Sequence, residues 1–288
     1  MGRGFCASIF VFEMNVAAII SYDGTNFHGF QMQNQSRTVQ MVIEQKLEKI
    51  FKERIPVVPA GRTDTGVHAI GQVISFKLTK CPFGIEKLHD ILNYHLPDDI
   101  RISELKIMPE NFNSRFSAKS RVYVYAVCTK KDICAHLARY FWNINISLDD
   151  LKVPLDLIPE RFCFRSFSRT SQDRKLNFGT VNFSNYVIVE DFFYFIIEAP
   201  SFLWHTVRFL FGEAVAVAKG KRSLEEYKEA LDGKKRLVLY KAPPKGLHLW
   251  GVSYFDQKLG AICEKNIIKD GLYGFFKPPS FVDIVKSP

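Results

Sequence analysis

The sequence predicts an α+β fold, and two observations carry that prediction. Segments with a helical period alternate along the chain with short apolar runs of strand length, and turn-forming residues separate them. After Asp150 the alternation begins again and loosely repeats that of the first half. With 288 residues, 47% of them hydrophobic and 24% charged, the chain is long enough for two modest globular units with ample core. We therefore expect two α+β halves.

In the first half, which we place at 14–110, apolar periodicity defines the elements. Thr38 has the side chain of an N-cap, and the apolar positions after it recur with a period close to that of an α-helix. They are Val39, Val42, Ile43, Leu47, Ile50 and Phe51. A second helix is predicted over 85–94. Strands are predicted over 16–21, 55–58, 73–78 and 100–107.

The second half, at 111–256, contains the clearest helix boundaries. Ser223 and Glu226 have the spacing of a capping box, and Gly233 is a typical C-terminal stop, so these residues predict a helix over 224–232. An apolar helix is predicted over 202–212, and strands over 181–189, 192–199 and 249–254. The two ends of the chain are less informative. We expect 1–13 to be an N-terminal extension, with Met14 as an alternative start, and 257–288 to be a C-terminal tail.

The segment 112–125, at the start of the second half, combines cations with aromatic rings. Its basic residues and tyrosines have odd numbers, so in a strand they would share one face. They are Arg115, Lys119, Arg121, Tyr123 and Tyr125. Such a face is either a solvated charged surface or a surface that holds phosphates and stacks a base.

Charge and cysteine usage narrow the class of protein. The formal net charge of +9 favours a polyanionic partner without identifying it. The six cysteines include no C-x-x-C pair and form no zinc-ligand spacing with the seven histidines, so we expect reduced thiols in a cytoplasmic protein. No apolar run approaches the roughly 20 residues that a membrane helix needs, and we expect no membrane partner.

One carboxylate stands out in the loop 60–69. Asp64 is flanked by Gly61 and Gly66, and glycines allow a sharp turn and a close approach of the backbone to a ligand. If the loop is extended here, Arg62 and Asp64 point to the same side, and the arginine could keep the carboxylate ionised. In isolation, Asp-Thr-Gly is also a common turn in which the aspartate accepts backbone N–H groups.

The ten residues of this loop, AGRTDTGVHA, resemble the catalytic loop of the TruA family of tRNA pseudouridine synthases almost letter for letter. Further signatures of that family follow in its order. They are YDG and FHGFQ within 22–31, an arginine in the apolar run 202–212, and APPKGL at 242–247. The resemblance extends from about residue 16 to residue 254, which is most of the chain.

The resemblance implies roles for four residues. Asp64 would be the catalytic nucleophile, and Tyr123 would stack on the target base. Arg208 would pair with Asp64, although a lone arginine in an apolar helix is more often a surface residue with a buried stem. Arg62 would fill the gap left by the flipped nucleotide or hold that nucleotide.

The resemblance also implies an architecture and a reaction. The expected fold is an eight-stranded mixed, mostly antiparallel sheet with helices packed on it, made of two similar halves that flank a central active-site cleft. The expected substrate is the anticodon stem-loop of tRNA, at positions 38–40, bound by a homodimer without metal or organic cofactor. Attack of the carboxylate on C1′ and removal of the C2′ proton both need an ionised aspartate, and the sequence leaves both open.

Two other functions compete with this interpretation. An aspartic protease shares the Asp-Thr-Gly triplet, but it needs two aspartates that share a proton, and the chain has one such triplet. A non-enzymatic RNA-binding module would explain the charge and the aromatic residues but would leave Asp64 without a role. A direct assay of uridine isomerisation separates the three.

Overall fold

One continuous sheet runs through both predicted halves of the chain. A computed structural model describes residues 13–169, 178–256 and 258–284. Apart from residue 13, the predicted N-terminal extension lies outside the described residues, and so do residues 257 and 285–288 of the predicted tail. Within the described part, each half contributes antiparallel strands and helices, so the α+β prediction is confirmed.

The sheet is mixed and mostly antiparallel, as predicted. Its strands are β1 (Met14–Tyr22), β2 (Val58–Pro59), β3 (His68–Leu78), β4 (Ile100–Met108), β5 (Ser120–Cys128), β6 (Trp142–Asn143), β9 (Phe183–Val189), β10 (Phe192–Ala199) and β11 (Leu247–Ser253). The strands β7 (Arg161–Cys163) and β8 (Phe178–Thr180) form a separate pair. The central order is β4-β1-β3-β11-β5-β10-β9, with β2 paired to β3 and β6 to β5. The described sheet has nine strands rather than the expected eight, because two short strands add to seven long ones.

The two halves meet where β11 pairs with β3. This pairing is parallel and short, with His248 opposite His68, whereas β11 is antiparallel to β5. The two imidazole rings stack with their centroids 4.8 Å apart. Nε2 of His68 lies 3.1 Å from the backbone carbonyl of Arg139, and Nε2 of His248 lies 2.8 Å from that of Tyr140. The last strand of the second half therefore lies beside the start of β3, where the loop 60–67 ends.

Helices pack on the sheet in both halves. They are α1 (Val39–Phe51), α2 (Ile85–His95), α3 (Leu148–Asp156), α4 (Thr206–Ala218), α5 (Leu224–Leu231), α6 (Leu259–Phe276) and α7 (Phe281–Ile284). The predicted cap of α1 at Thr38 is confirmed, and so is the capping box of Ser223 and Glu226 at α5. None of the helices in the described ranges is long and apolar enough to cross a membrane.

The second half of the sheet is covered on both faces. Along β5, Val122 and Val124 belong to the buried cluster that includes residues of α6, whereas Tyr125 and Val127 belong to the cluster with α3, α4 and α5. Successive residues of a strand point to opposite faces, which explains this alternation. The segment that sequence analysis left as a tail thus supplies a helix of the core.

The predicted basic and aromatic face of 112–125 is wrong for Tyr125 and Arg121. Tyr125 is fully buried, and the guanidinium of Arg121 donates to the carbonyls of Ala60 and Pro200 at 2.8 and 2.7 Å. A two-residue period indicates which residues share a face, but it does not indicate what covers that face. The division of the chain near residues 110 and 256 stays a prediction.

Candidate active site

Asp64 lies in the loop between β2 and β3, and the first half of the chain holds that loop. The N–H of Phe30 donates to the carbonyl of Thr63 at 3.1 Å. The hydroxyls of Thr63 and Tyr22 are 2.7 Å apart and buried. Gly29 has φ of 83°, and a Cβ there would come within 2.7 Å of the Thr63 carbonyl, so only glycine permits this close approach. The backbone beside Asp64 is therefore fixed before any group contacts the carboxylate.

Three side chains from the second half contact the carboxylate of Asp64. The indole Nε1–H of Trp204 donates to Oδ1 at 3.2 Å. Nε2 of His205 lies 3.1 Å from Oδ2, and Nη1 of Arg208 donates to the same oxygen at 3.2 Å. The predicted contact between Asp64 and Arg208 is present, and two neighbours that sequence analysis missed accompany it.

These three side chains converge because α4 begins at Thr206 rather than at the predicted residue 202. His205, the residue before the helix, has φ of 67°. This left-handed conformation is uncommon for a residue with a Cβ and is found most often at functional sites. His205 lies in the turn that leads into α4, and from this turn Trp204 and His205 reach Asp64 together with Arg208 of the first helical turn.

Arg208 is anchored on two sides. Its side chain is only 9% exposed, so the alternative of a surface arginine is wrong. Its Nε donates to the carbonyl of Ala242 at 3.0 Å, and the N–H of Ala242 donates to the carbonyl of Arg208 at 3.1 Å. A Cβ at Gly212 would come within 2.0 Å of the carbonyl of Tyr240, so glycine allows α4 to approach this segment. The guanidinium is thus fixed when it faces Asp64.

The surroundings of Asp64 favour its ionised form. Burial by itself would raise the pKa of this carboxyl, because a low dielectric disfavours the charged state. The hydrogen bond and charge of His205, together with the charge and hydrogen bond of Arg208, outweigh burial and hold the pKa of Asp64 below its ordinary value. The side chain is still 22% exposed, which leaves it open to a substrate.

His205 has two competing neighbours. Its Nε2 is 3.1 Å from Oδ2 of Asp64 and 3.2 Å from Nζ of Lys241. A ring nitrogen cannot donate to the carboxylate and accept from the ammonium at the same time. Nδ1 is buried and has no hydrogen-bond partner in the described part of the chain. Nε2 can therefore donate to Asp64 or accept from Lys241, but it cannot do both.

Tyr123 lies close to the loop of Asp64. Its ring packs edge-on against Phe202 with centroids 5.5 Å apart, and a Cβ at Gly61 would be 3.8 Å from its hydroxyl. Burial, with smaller effects of Tyr22 and Asp64, raises the pKa of Tyr123 far above its ordinary value. The hydroxyl therefore stays protonated and can donate a hydrogen bond.

Arg62 does not have the partner that the loop sequence suggested. The basic side chains within 4 Å of the Asp64 carboxylate, among the residues described, are those of His205 and Arg208. Arg62 is exposed. The interpretation that Arg62 holds Asp64 in its ionised form is therefore wrong, because Arg208 of the second half is the arginine that contacts Asp64.

Within residues 13–169, 178–256 and 258–284, no group of three or more His, Cys, Asp or Glu side chains is placed to hold a metal ion. The expectation of a reaction without metal or organic cofactor stays a prediction.

Comparisons with known proteins give one family. The chain matches the family described as tRNA pseudouridine synthase over residues 18–117 and 161–255. "tRNA pseudouridine synthase A" of Dictyoglomus turgidum is 39% identical over 82% of this chain and 97% of that protein. The protein of the same name from Thermodesulfovibrio yellowstonii is 35% identical over 84% of this chain and 100% of its own length. A chain in the crystal structure of a Cbf5–Nop10–Gar1 complex is 12% identical, with a TM-score of 0.35 over 90% of this chain and 68% of that one, a similarity too low to carry an argument.

Arg208→Gln should raise the pKa of Asp64, because a cation that favours the ionised form is lost while burial remains. The carboxyl ¹³C shift of Asp64 in labelled protein, followed between about pH 2 and pH 8, measures this pKa directly. Lys269→Gln, which removes an exposed charge from α6, is the control and should leave the titration unchanged. An Asp64 midpoint in Arg208→Gln that equals the wild-type midpoint would contradict the expectation.

Proposed function

The chain belongs to the tRNA pseudouridine synthase family, and we propose that this isomerase modifies the anticodon stem-loop of tRNA, at positions 38–40, through the ionised carboxylate of Asp64. The observation that carries the proposal is the set of three donors that the second half directs at that carboxylate. Uridine becomes pseudouridine when the C1′–N1 bond breaks and a C1′–C5 bond forms, while C5 loses a proton and N1 gains one. The reaction balances without a redox partner, and it needs an ionised aspartate whether Asp64 attacks C1′ or removes the C2′ proton.

The pattern of donors favours one oxygen of Asp64 as the reacting atom. Each oxygen of a carboxylate can accept about two hydrogen bonds. Oδ2 has His205 and Arg208 as neighbours, whereas Oδ1 has Trp204 alone among the described residues. Oδ1 therefore keeps acceptor capacity toward the cleft, and we assign it the contact with the target ribose.

Tyr123 and Arg62 are assigned to the binding of the flipped nucleotide. The ring of Tyr123 is half-buried beside the loop of Asp64, where it would stack on the uracil and its protonated hydroxyl would donate to the substrate. Removing the uridine from its stack costs a few kcal/mol. Arg62, exposed on the loop that carries Asp64, would fill the space that the uridine leaves.

Physical arguments disfavour the two other functions. An aspartic protease needs a second carboxylate that shares a proton with the first. The neighbours of Asp64 are two basic side chains and an indole N–H, which favour full ionisation of a single carboxylate. A module that only bound RNA would gain nothing from a part-buried negative charge, which repels phosphates and needs cations to offset its burial.

We also propose that the protein is a cytoplasmic homodimer, as the family resemblance implies. Sedimentation equilibrium at micromolar concentration should give twice the 33.1 kDa mass of the chain. A monomer mass throughout the accessible concentration range would contradict the dimer and would leave the assignment of the reaction unaffected.

Asp64→Asn should abolish isomerisation and leave RNA affinity nearly unchanged. The substitution removes the ionisable group but keeps its shape, and loss of a negative charge does not weaken binding to phosphates. Release of tritium from 5-tritiated uridine in tRNA measures the reaction, and a filter-binding assay measures affinity. Asp270→Asn, at an exposed position of α6, is the control. Activity of Asp64→Asn within tenfold of wild type would rule out Asp64 as the essential group.

Tyr123→Ala should lose much more activity than Tyr123→Phe. Stacking of a base on an aromatic ring contributes about 1–3 kcal/mol, and phenylalanine keeps the ring while it removes the hydroxyl. Single-turnover rates of the two variants separate the contribution of the ring from that of the hydroxyl. Tyr94→Ala, which removes a ring that is 85% exposed on α2, is the control. Equal rates for wild type and Tyr123→Ala would show that this ring only packs.

A further inference from the structure

A basic pocket lies beside the candidate active site, and we propose that it binds the phosphate between the target uridine and a neighbouring nucleotide of the RNA. The inference rests on the proposed function, because it concerns how the same substrate is held. The pocket has a volume of about 350 Å³, and its three cations are Arg169, Arg236 and Lys241. None of the described residues that line it is acidic.

Two of these cations contact side chains that themselves contact Asp64. The guanidinium of Arg169 lies over the ring of Trp204, 5.5 Å from its centroid. Nζ of Lys241 is 3.2 Å from Nε2 of His205. A phosphodiester links the target nucleotide to each of its neighbours, so a phosphate must lie close to any ribose that reaches Asp64. At both contacts a single side chain, Trp204 or His205, lies between a cation of the pocket and the carboxylate of Asp64.

Two of the cations in the pocket lack a close carboxylate among the described residues. Arg169 and Lys241 have no carboxylate within salt-bridge distance among the described residues. Burial and the charge of Arg208, with a further effect of Arg169, lower the pKa of Lys241 against the attraction of Asp64. Cations gathered without an anion repel one another, and a bound anion removes that repulsion. A phosphate in the pocket would offset the repulsion that Arg208 and Arg169 exert on Lys241.

The chemistry of the lining matches a phosphate ester. A guanidinium donates two parallel N–H groups to two oxygens of one phosphate, and a lysine adds a point charge. Trp204 is 56% exposed next to Arg169, which leaves an aromatic surface beside the anion site. An RNA strand carries phosphates and bases side by side, so the cations would take the phosphate and the indole would take the adjoining base.

The test is a double-mutant cycle, in which a charged side chain of the protein and a charged phosphate of the RNA are neutralised separately and together. Anticodon stem-loop RNAs are prepared with one uncharged methylphosphonate linkage each, at successive positions around the target uridine. Their affinities are measured for Asp64→Asn protein, which does not turn over, and for the same protein with Lys241→Gln or Arg169→Gln added. Lys269→Gln, on α6, is the control with a matched change of charge.

Arg169→Gln keeps the proposal testable if Lys241→Gln disturbs the active site, because Arg169 has no contact with His205 among the described ones. At one linkage next to the target uridine, the methylphosphonate should weaken RNA binding about tenfold in the Asp64→Asn protein and in the same protein with Lys269→Gln added. In the Lys241→Gln and Arg169→Gln proteins the same substitution should cost less than about twofold, because the partner charge is already lost. Equal losses in all four proteins at every linkage would overturn the proposal.

Inorganic phosphate at constant ionic strength distinguishes a phosphate of the RNA from free phosphate. If it weakens RNA binding only while Lys241 and Arg169 are present, and the linkage effects stay additive, the pocket binds free phosphate and the proposal is overturned. Binding is measured without turnover, so a failure to release tritium from tRNA would count against the proposed function alone. The two results are therefore distinguishable.

Discussion

The ion pair between Asp64 and Arg208 joins two segments that are 144 residues apart in the chain, and the cleft depends on it. A part-buried carboxylate is stable in its charged form only when other groups offset its desolvation. Each partner is fixed independently, Asp64 by a loop that hydrogen-bonds to Phe30 and Arg208 by the carbonyl of Ala242. A shift of one half against the other would leave two poorly paired charges near the cleft. The electrostatics of the site therefore require a precise placement of the halves.

The continuous sheet supplies that placement. β11 pairs with β3 on one side, where His248 lies opposite His68, and with β5 on the other, where Leu249 lies opposite Tyr123. The loop of Asp64 also approaches this strand, since a Cβ at Gly61 would be 4.0 Å from the side chain of Leu249. One strand of the second half thus sets the distance from the candidate stacking residue to the loop of the first half. The short parallel pairing of β11 with β3 therefore holds the two halves in register at the candidate site.

Local patterns predicted the elements whose ends are decided locally. The caps at Thr38 and Ser223 define α1 and α5, because a hydroxyl that accepts a backbone N–H acts within three residues. The loop of Asp64 and its arginine partner were predicted by resemblance to a family. The contacts of Trp204 and His205 were not predicted, because they depend on a left-handed residue and on a partner in the other half. Residue propensities predict neither the left-handed residue nor the partner in the other half. A helix that began at residue 202 would also have placed Trp204 and His205 inside it.

His205 lies between the basic pocket and the carboxylate of Asp64. Its Nε2 lies between Oδ2 of Asp64 and Nζ of Lys241, and it can donate to the first only when it does not accept from the second. A phosphate that attracts Lys241 leaves Nε2 with one remaining partner, Asp64. Under the proposed phosphate contact, the hydrogen bond that favours the ionised carboxylate would be strongest when RNA is in place. Binding energy from a part of the substrate that does not react would in this way act at the reaction centre, where it lowers the barrier instead of only tightening the complex.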